Sequence, residues 1–221
     1  ALDGDGAEGA GMDSKDEENR IAMTLARRAY LYGAFHVVFG GGVHEASAAQ
    51  LFGENTAGAL AWLAGKVAAD EGLSEKSVGL SLRTMTECVA EAVACVGEHS
   101  EGDAVSKATV AMEEDFPKLF QVPGDSYVRP WESPYTSTDG MLFRGSTLDV
   151  RSFYHQAGFR LQAEQHFPDD HISAMMDYMA RMSQCVYEAY ADGRDEDAAK
   201  TLRAQSDFLR NHVLTWVDAF A

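Results

Sequence analysis

Three observations predict an all-α fold. Apolar residues recur at three- and four-residue spacing along both flanks of the chain, no convincing period-two strand occurs, and all five prolines (Pro117, Pro123, Pro130, Pro134 and Pro168) fall in one middle stretch. Proline ends helices and fixes extended turns, so the expected architecture is a single domain of roughly eight helices. Residues 20–120 and 146–221 form its two packed halves, joined by an ordered proline-rich loop over 121–145. A chain of 221 residues can bury a sizeable core.

Residues 1–19 are rich in Gly, Asp and Glu, have little to bury, and read as a disordered acidic tail. Gly4-Asp-Gly6-Ala-Glu-Gly9 spells a dinucleotide fingerprint, but no strand precedes it and no helix opens on its last glycine, so that site is rejected. From Arg20, the residues Ile21, Leu25, Ala29, Tyr32, Phe35 and Phe39 draw one buried helical stripe, which Gly40-Gly-Gly42 ends. Shorter helices are expected over 46–52 and 57–69; Gly65-Lys66 in the second is no phosphate loop, because Val67 stands where Ser or Thr is needed. Val78, Leu82, Met85, Val89, Ala92 and Val96 predict a long helix packed along another. The next helix, 104–120, contains Pro117, which should bend or finish it.

Beyond the loop, Ser146-Thr-Leu-Asp149 has the form of a capping box opening a helix that Gly158 closes. Asp169 or Asp170 is expected to cap the helix over 172–191, and a last helix runs from Asp195 to bury Leu202, Leu209, Val213, Trp216 and Phe220.

The net charge is −17, and seven acids against one lysine place a surplus of six in the first 19 residues. Such a field repels nucleic acid and anionic headgroups and attracts cationic segments, besides favouring solubility. The three cysteines, Cys88, Cys95 and Cys185, show neither CxxC nor zinc spacing and read as buried small hydrophobes in a reducing compartment. No apolar run of about 18 residues suggests a membrane span, and no basic-then-apolar start suggests a signal peptide, so a cytoplasmic protein without stable membrane insertion is expected.

Two groups stand out as candidate chemistry. Asp169-Asp170-His171 offers two carboxylates where a helix cap needs one, leaving the other for an arginine guanidinium. Trp131, Glu132, Ser133 and Tyr135 lie between prolines, which suits either pinning the loop to the core or gripping an apolar helix with a basic end. Met175, Met176, Met179 and Met182 share one helix, where they serve as core or as an adaptable apolar surface, with Met176 pointing away from the other three. A metal site built from His166, Asp170 and His171 has spacing alone in its favour, and no metal or cofactor is expected.

These residues carry a family resemblance. Pro130-Trp-Glu-Ser-Pro-Tyr135 resembles the P-x-x-S-x-Y/W signature of the TorD/DmsD redox-enzyme maturation chaperones, and Pro168-Asp-Asp-His171 resembles their (E/P)-x-D-H motif. Agreement extends to Glu114-Asp-Phe-x-x-Leu-Phe120 and to Phe208-Leu-x-x-His212-Val-Leu-x-Trp216, while Pro134 and Gly40-Gly-Gly42 depart from the pattern. The resemblance implies a non-enzymatic cytoplasmic chaperone, monomer or dimer, that binds the twin-arginine signal peptide and catalytic subunit of a molybdenum-containing oxidoreductase. Its site would comprise Trp131, Glu132, Ser133, Tyr135, Tyr154, Asp169, Asp170, His171 and Met179, with arginines meeting Glu132, Asp169 or Asp170. Asp170→Ala and Trp131→Ala should then weaken peptide binding without unfolding the chain. Alternatives are a delta-type assembly chaperone for a non-exported nitrate reductase, a small metal-dependent enzyme using His155, His166 and His171, and a bridging adaptor.

Overall fold

The computed structural model describes residues 6–41, 44–69, 82–99, 102–162 and 167–220. Among them the elements are α1 (Gly6–Phe39), α2 (Glu45–Leu51), α3 (Glu54–Ala69), α4 (Leu82–Glu98), α5 (Asp103–Phe120), α6 (Ser133–Thr136), α7 (Gly145–Gln156), α8 (Ile172–Ala191), α9 (Asp195–Phe208), a π-helical turn (Leu209–Val213) and α10 (Val217–Phe220). The fold is all-α; the one β-type pairing among these residues is an isolated antiparallel bridge between Trp131 and His171.

Several boundaries differ from expectation for local reasons. α1 begins at Gly6, so most of the stretch read as a tail is helix here, with Glu17 and Arg20 paired at 2.5 Å across one turn. Val78 and the rest of 70–81 lie outside the described residues. Pro117 sits in the last turn of α5 without stopping it; its carbonyl accepts from the N–H groups of Gln121 and Val122 at 3.0 and 2.8 Å and so closes the helix. Ser146 does not cap α7, which starts one residue earlier with Arg144 at the cap position.

The first helix stands between two cores. Leu31 joins Ala48, Leu51, Phe52, Ala59, Leu60, Val96 and Ala108 in a cluster shared with α2 to α5. Tyr32 and Phe39 instead pack on a second cluster, where Val150, Tyr154, Met175, Tyr178, Phe208 and Trp216 meet. A smaller group, Leu25 with Val186, Ala189 and Ala198, extends the same seam. α1 therefore makes its most extensive contact with α8, across the division expected at the proline-rich loop.

α8 is packed on more than one side, by α1 and by α9, and this explains its methionines. Met175, Met176 and Met179 are all buried, Met176 included, because a central helix has no single inward face. Cys95 and Cys185 are exposed, contrary to the expected burial, and Cys88 has no described side chain. Among the described residues no helix is long and apolar enough to cross a membrane.

Candidate functional site

Pro130 favours an extended 128–131, Glu132 then turns into α6, and that short segment lies against the turn entering α8. Ile172 N–H donates to Pro130 O at 2.8 Å and Glu132 N–H to Asp170 O at 3.0 Å, making the Trp131–His171 bridge. Asp170, 0% exposed, accepts from Ser133 N–H at 2.7 Å and from the Thr147 hydroxyl at 3.1 Å. It therefore caps α6 and ties α7 to it, and does not cap α8 as the sequence suggested. That role falls to His171, whose Nδ1 accepts from Ser173 N–H at 3.1 Å.

Asp169 is equally occupied. Its Oδ2 receives Arg151 Nε at 2.9 Å and Nη2 at 2.5 Å, while its carbonyl accepts the Tyr154 hydroxyl at 3.0 Å. Glu132 is buried too, facing His212 Nδ1 at 3.1 Å, and burial raises its pKa above the ordinary carboxylate range, partly offset by that histidine. The three carboxylates expected at a solvent-facing anionic rim are thus interior staples, each satisfied by a donor of this chain.

In front of this framework lies a cavity of about 1160 Å³. Phe39, Phe116 and Phe120 form one wall from the ends of α1 and α5, Tyr127 and Trp131 come from the extended segment, and Phe159, Leu161 and Phe167 close the far side. Gly40 and Gly41 permit the α1 wall to approach: a Cβ on Gly40 would sit 2.8 Å from Ser173 Oγ, and one on Gly41, at φ +69, would sit 2.7 Å from the Phe116 ring. Trp131, Phe167 and His171 form an aromatic corner, with ring centroids 5.2 to 6.0 Å apart.

Polar and charged groups also line the cavity. His36 Nδ1 bonds Ser173 O at 2.9 Å, binding α1 to the start of α8. Burial, helped by the charge of His36, lowers the pKa of His171 to about 4, so its ring is neutral at pH 7. Asp177, Arg160 and Arg181 also line the cavity; Arg181 Nε donates to Asp177 Oδ1 at 3.1 Å, and its guanidinium lies 5.4 Å from the Phe159 ring centre. The lining is aromatic with mixed charge, and can hold an apolar segment by contact area with a few polar ends.

Of the residues expected at the site, Trp131 and His171 line this cavity. Glu132, Ser133, Asp169 and Asp170 stand buried behind them, and Tyr154 and Met179 are in the core at 1% and 0% exposure. Tyr135 faces elsewhere, stacked on Trp216 at 5.3 Å. His166 lies outside the described residues, and among those described no group of three His, Cys, Asp or Glu is placed to hold a metal ion. Sequence reasoning missed Phe39, Phe116 and Phe120 as site residues because their helical spacing also fits a core; the signal available was the Phe116/Phe120 pair one turn apart beside the proline-rich segment.

Residues 82–221 match the family described as nitrate reductase delta subunit. The chain is 29% identical over 117 residues to the chaperone protein TorD of Vibrio cholerae serotype O1 (strain ATCC 39541), covering 52% of this chain and 50% of that protein. It is 31% identical over 107 residues to the probable Tat proofreading chaperone DmsD of Haemophilus influenzae, covering 48% and 45%, and 26% identical over 114 residues to TorD of Photobacterium profundum, covering 52% and 51%. The chain thus spans about half the length of the curated relatives it matches. No solved structure gives a significant match. With its carboxyl-terminal 140 residues matched and its two central motifs joined in one bridge, the chain belongs to the nitrate reductase delta subunit family, among the TorD/DmsD-type proteins.

Proposed function

We propose that this protein is a chaperone of redox-enzyme maturation that holds the twin-arginine signal peptide of a molybdoenzyme's catalytic subunit in the aromatic cavity, in the cytoplasm, until the enzyme is assembled. One observation carries the reading: the two motifs that carry the family resemblance meet at Trp131 and His171, and both residues line the same aromatic-walled cavity. Its volume of about 1160 Å³ suits several apolar side chains of an extended or helical segment. The role is binding, not catalysis.

The charge contacts are assigned differently from the sequence-based expectation. Glu132, Asp169 and Asp170 have their donors already and act by fixing the Trp131 segment. The carboxylate available to a peptide arginine is Asp177 at the cavity, where the incoming guanidinium exchanges with Arg181. Masking follows from burial of the apolar part of the signal against the aromatic walls.

Calorimetric titration with a synthetic twin-arginine peptide bearing an apolar stretch tests this. Trp131→Ala should weaken binding about 30-fold, the effect of removing an aromatic anchor from a buried contact. Unchanged affinity would remove the cavity as the site. Because the lining carries one carboxylate, Asp177, against two arginines, Arg160 and Arg181, a client segment without twin arginines is the second reading. A peptide with both arginines replaced by glutamine that loses less than about threefold in affinity favours that reading.

A further inference from the structure

His212 is 2% exposed and lies in the π-helical turn Leu209–Val213. A π turn inserts an extra residue and re-aims the side chains around it. Here His212 points inward between Phe153 and Phe208, with ring centroids 5.1 and 5.3 Å away. Its Nδ1 reaches Glu132 Oε2 at 3.1 Å and Oε1 at 3.3 Å across 80 residues of sequence, so Nδ1 carries a proton and donates it to the carboxylate.

The other ring nitrogen is left over. Nε2 is buried without a hydrogen-bond partner and lies 3.6 Å from Asp149 Oδ2, just beyond hydrogen-bond reach. In the neutral ring Nε2 turns a lone pair toward a carboxylate; in the protonated ring it turns a donor toward one. The titratable groups facing the pair are Glu132 from the extended segment, Asp149 from α7 and, behind Glu132, Asp170 from the turn before α8, all carboxylates.

We propose that His212 is a positioning residue of the cavity: clamped between Glu132 and Asp149, it locks the segment that presents Trp131, and the lock tightens when the ring takes up a second proton. Glu132 follows Trp131 directly, and with its N–H bonded to Asp170 O and its carboxylate to His212 it is fixed at both backbone and side chain, next to the residue that carries the indole at the cavity wall. Protonation draws Asp149, whose side chain is 65% exposed, onto Nε2 and joins α7, the extended segment and the π turn through one ring. This role rests on the cavity being the binding site, but the lock itself is visible without a ligand.

The test follows the ring signals of His212, the Trp131 indole N–H and the Ser133 amide by nuclear magnetic resonance on the unliganded chain from pH 8.5 to 5.5. His36 and His171, beside Trp131 on the cavity side, are tracked by their own ring signals. The expected result is one shared pH response for His212, Trp131 and Ser133, moved to lower pH in Asp149→Asn, which removes a facing charge at an exposed site. The twin-arginine peptide should bind about fivefold more tightly at pH 6 than at pH 8 in the natural sequence, and change less than about twofold in Asp149→Asn. Separate midpoints for His212 and Trp131, or an unmoved midpoint in Asp149→Asn, overturn the lock. Shared titration with no peptide binding at any pH supports the lock and removes the binding reading instead.

Discussion

The cluster around Leu31, Ala48, Leu60 and Val96 and the cluster around Tyr154, Tyr178, Phe208 and Trp216 are held by different physics. The first is mainly aliphatic, with Phe52 as its one ring among the described buried members, and the buried polar groups among the described residues there, Thr56 and Thr109, are each bonded to a nearby backbone carbonyl. The second stacks aromatic rings against a network of long-range polar ties: Asp170 to Ser133 and Thr147, Asp169 to Arg151, His212 to Glu132, and Gln205 to Met179 O and Ser183. Apolar burial is non-directional and tolerates repacking, whereas a buried polar network specifies one geometry and penalises any missing partner. The difference teaches where precision is needed: the network surrounds the segment carrying Trp131, and the family match over 82–221 takes in all of it.

The contrast can be broken most directly at Asp170. Asp170→Ala leaves the Ser133 N–H and the Thr147 hydroxyl buried without acceptors and should cost about 4 kcal/mol in urea unfolding. The earlier expectation that this variant weakens binding without touching stability is replaced by that one, since a 0%-exposed carboxylate with two donors is part of the frame. A loss below about 1 kcal/mol would show the network to be dispensable.

Acid should act on the second cluster through His171. The folded chain keeps its ring neutral down to about pH 4, while the unfolded chain protonates it near 6.5, so the unfolded state binds the proton first as pH falls. Its contribution is therefore complete above pH 6.5 and drains away between 6.5 and about 4, by about 3 kcal/mol. Protonation also removes the Nδ1 acceptor that caps α8. His171→Asn, which keeps a capping acceptor, should flatten that part of the curve; an equal acid loss in both proteins would assign it to other groups.

The smallest effect belongs to the first cluster. Thr109→Val removes one hydroxyl that bonds Val105 O within its own helix at 2.8 Å, and should change stability by less than about 1 kcal/mol. A loss comparable to that of Asp170→Ala would erase the distinction between the two cores.

How much was legible varies by element for physical reasons. The helices from Ala46 and over the methionine stretch were readable because apolar spacing is a local signal, and their observed bounds lie within a few residues of the expected ones; the last helix starts at Asp195 as expected but ends at Phe208, where the π-helical turn Leu209–Val213 and the short α10 replace its expected continuation. The Ser146 capping box was misleading: an S-x-x-D pattern states what a helix start prefers, yet Thr147 is drawn to Asp170 and Asp149 toward His212. The cysteines misled likewise, since Cys185 lies on the outer side of a helix whose other faces are covered. Trp131 and His171 line the cavity, but the carboxylates beside them in sequence are buried, because each meets a donor of this chain in the interior.

The sequence by itself determined that the chain is helical, because apolar periodicity is a property of neighbouring residues. Only the tertiary structure decided that α1 serves both cores, that Asp169, Asp170 and Glu132 turn inward to partners 18 to 80 residues away, and that Phe39, Phe116 and Phe120 wall a cavity. Whether a carboxylate or a phenyl ring faces solvent, core or cleft depends on what the rest of the chain places opposite it, and no local pattern carries that information.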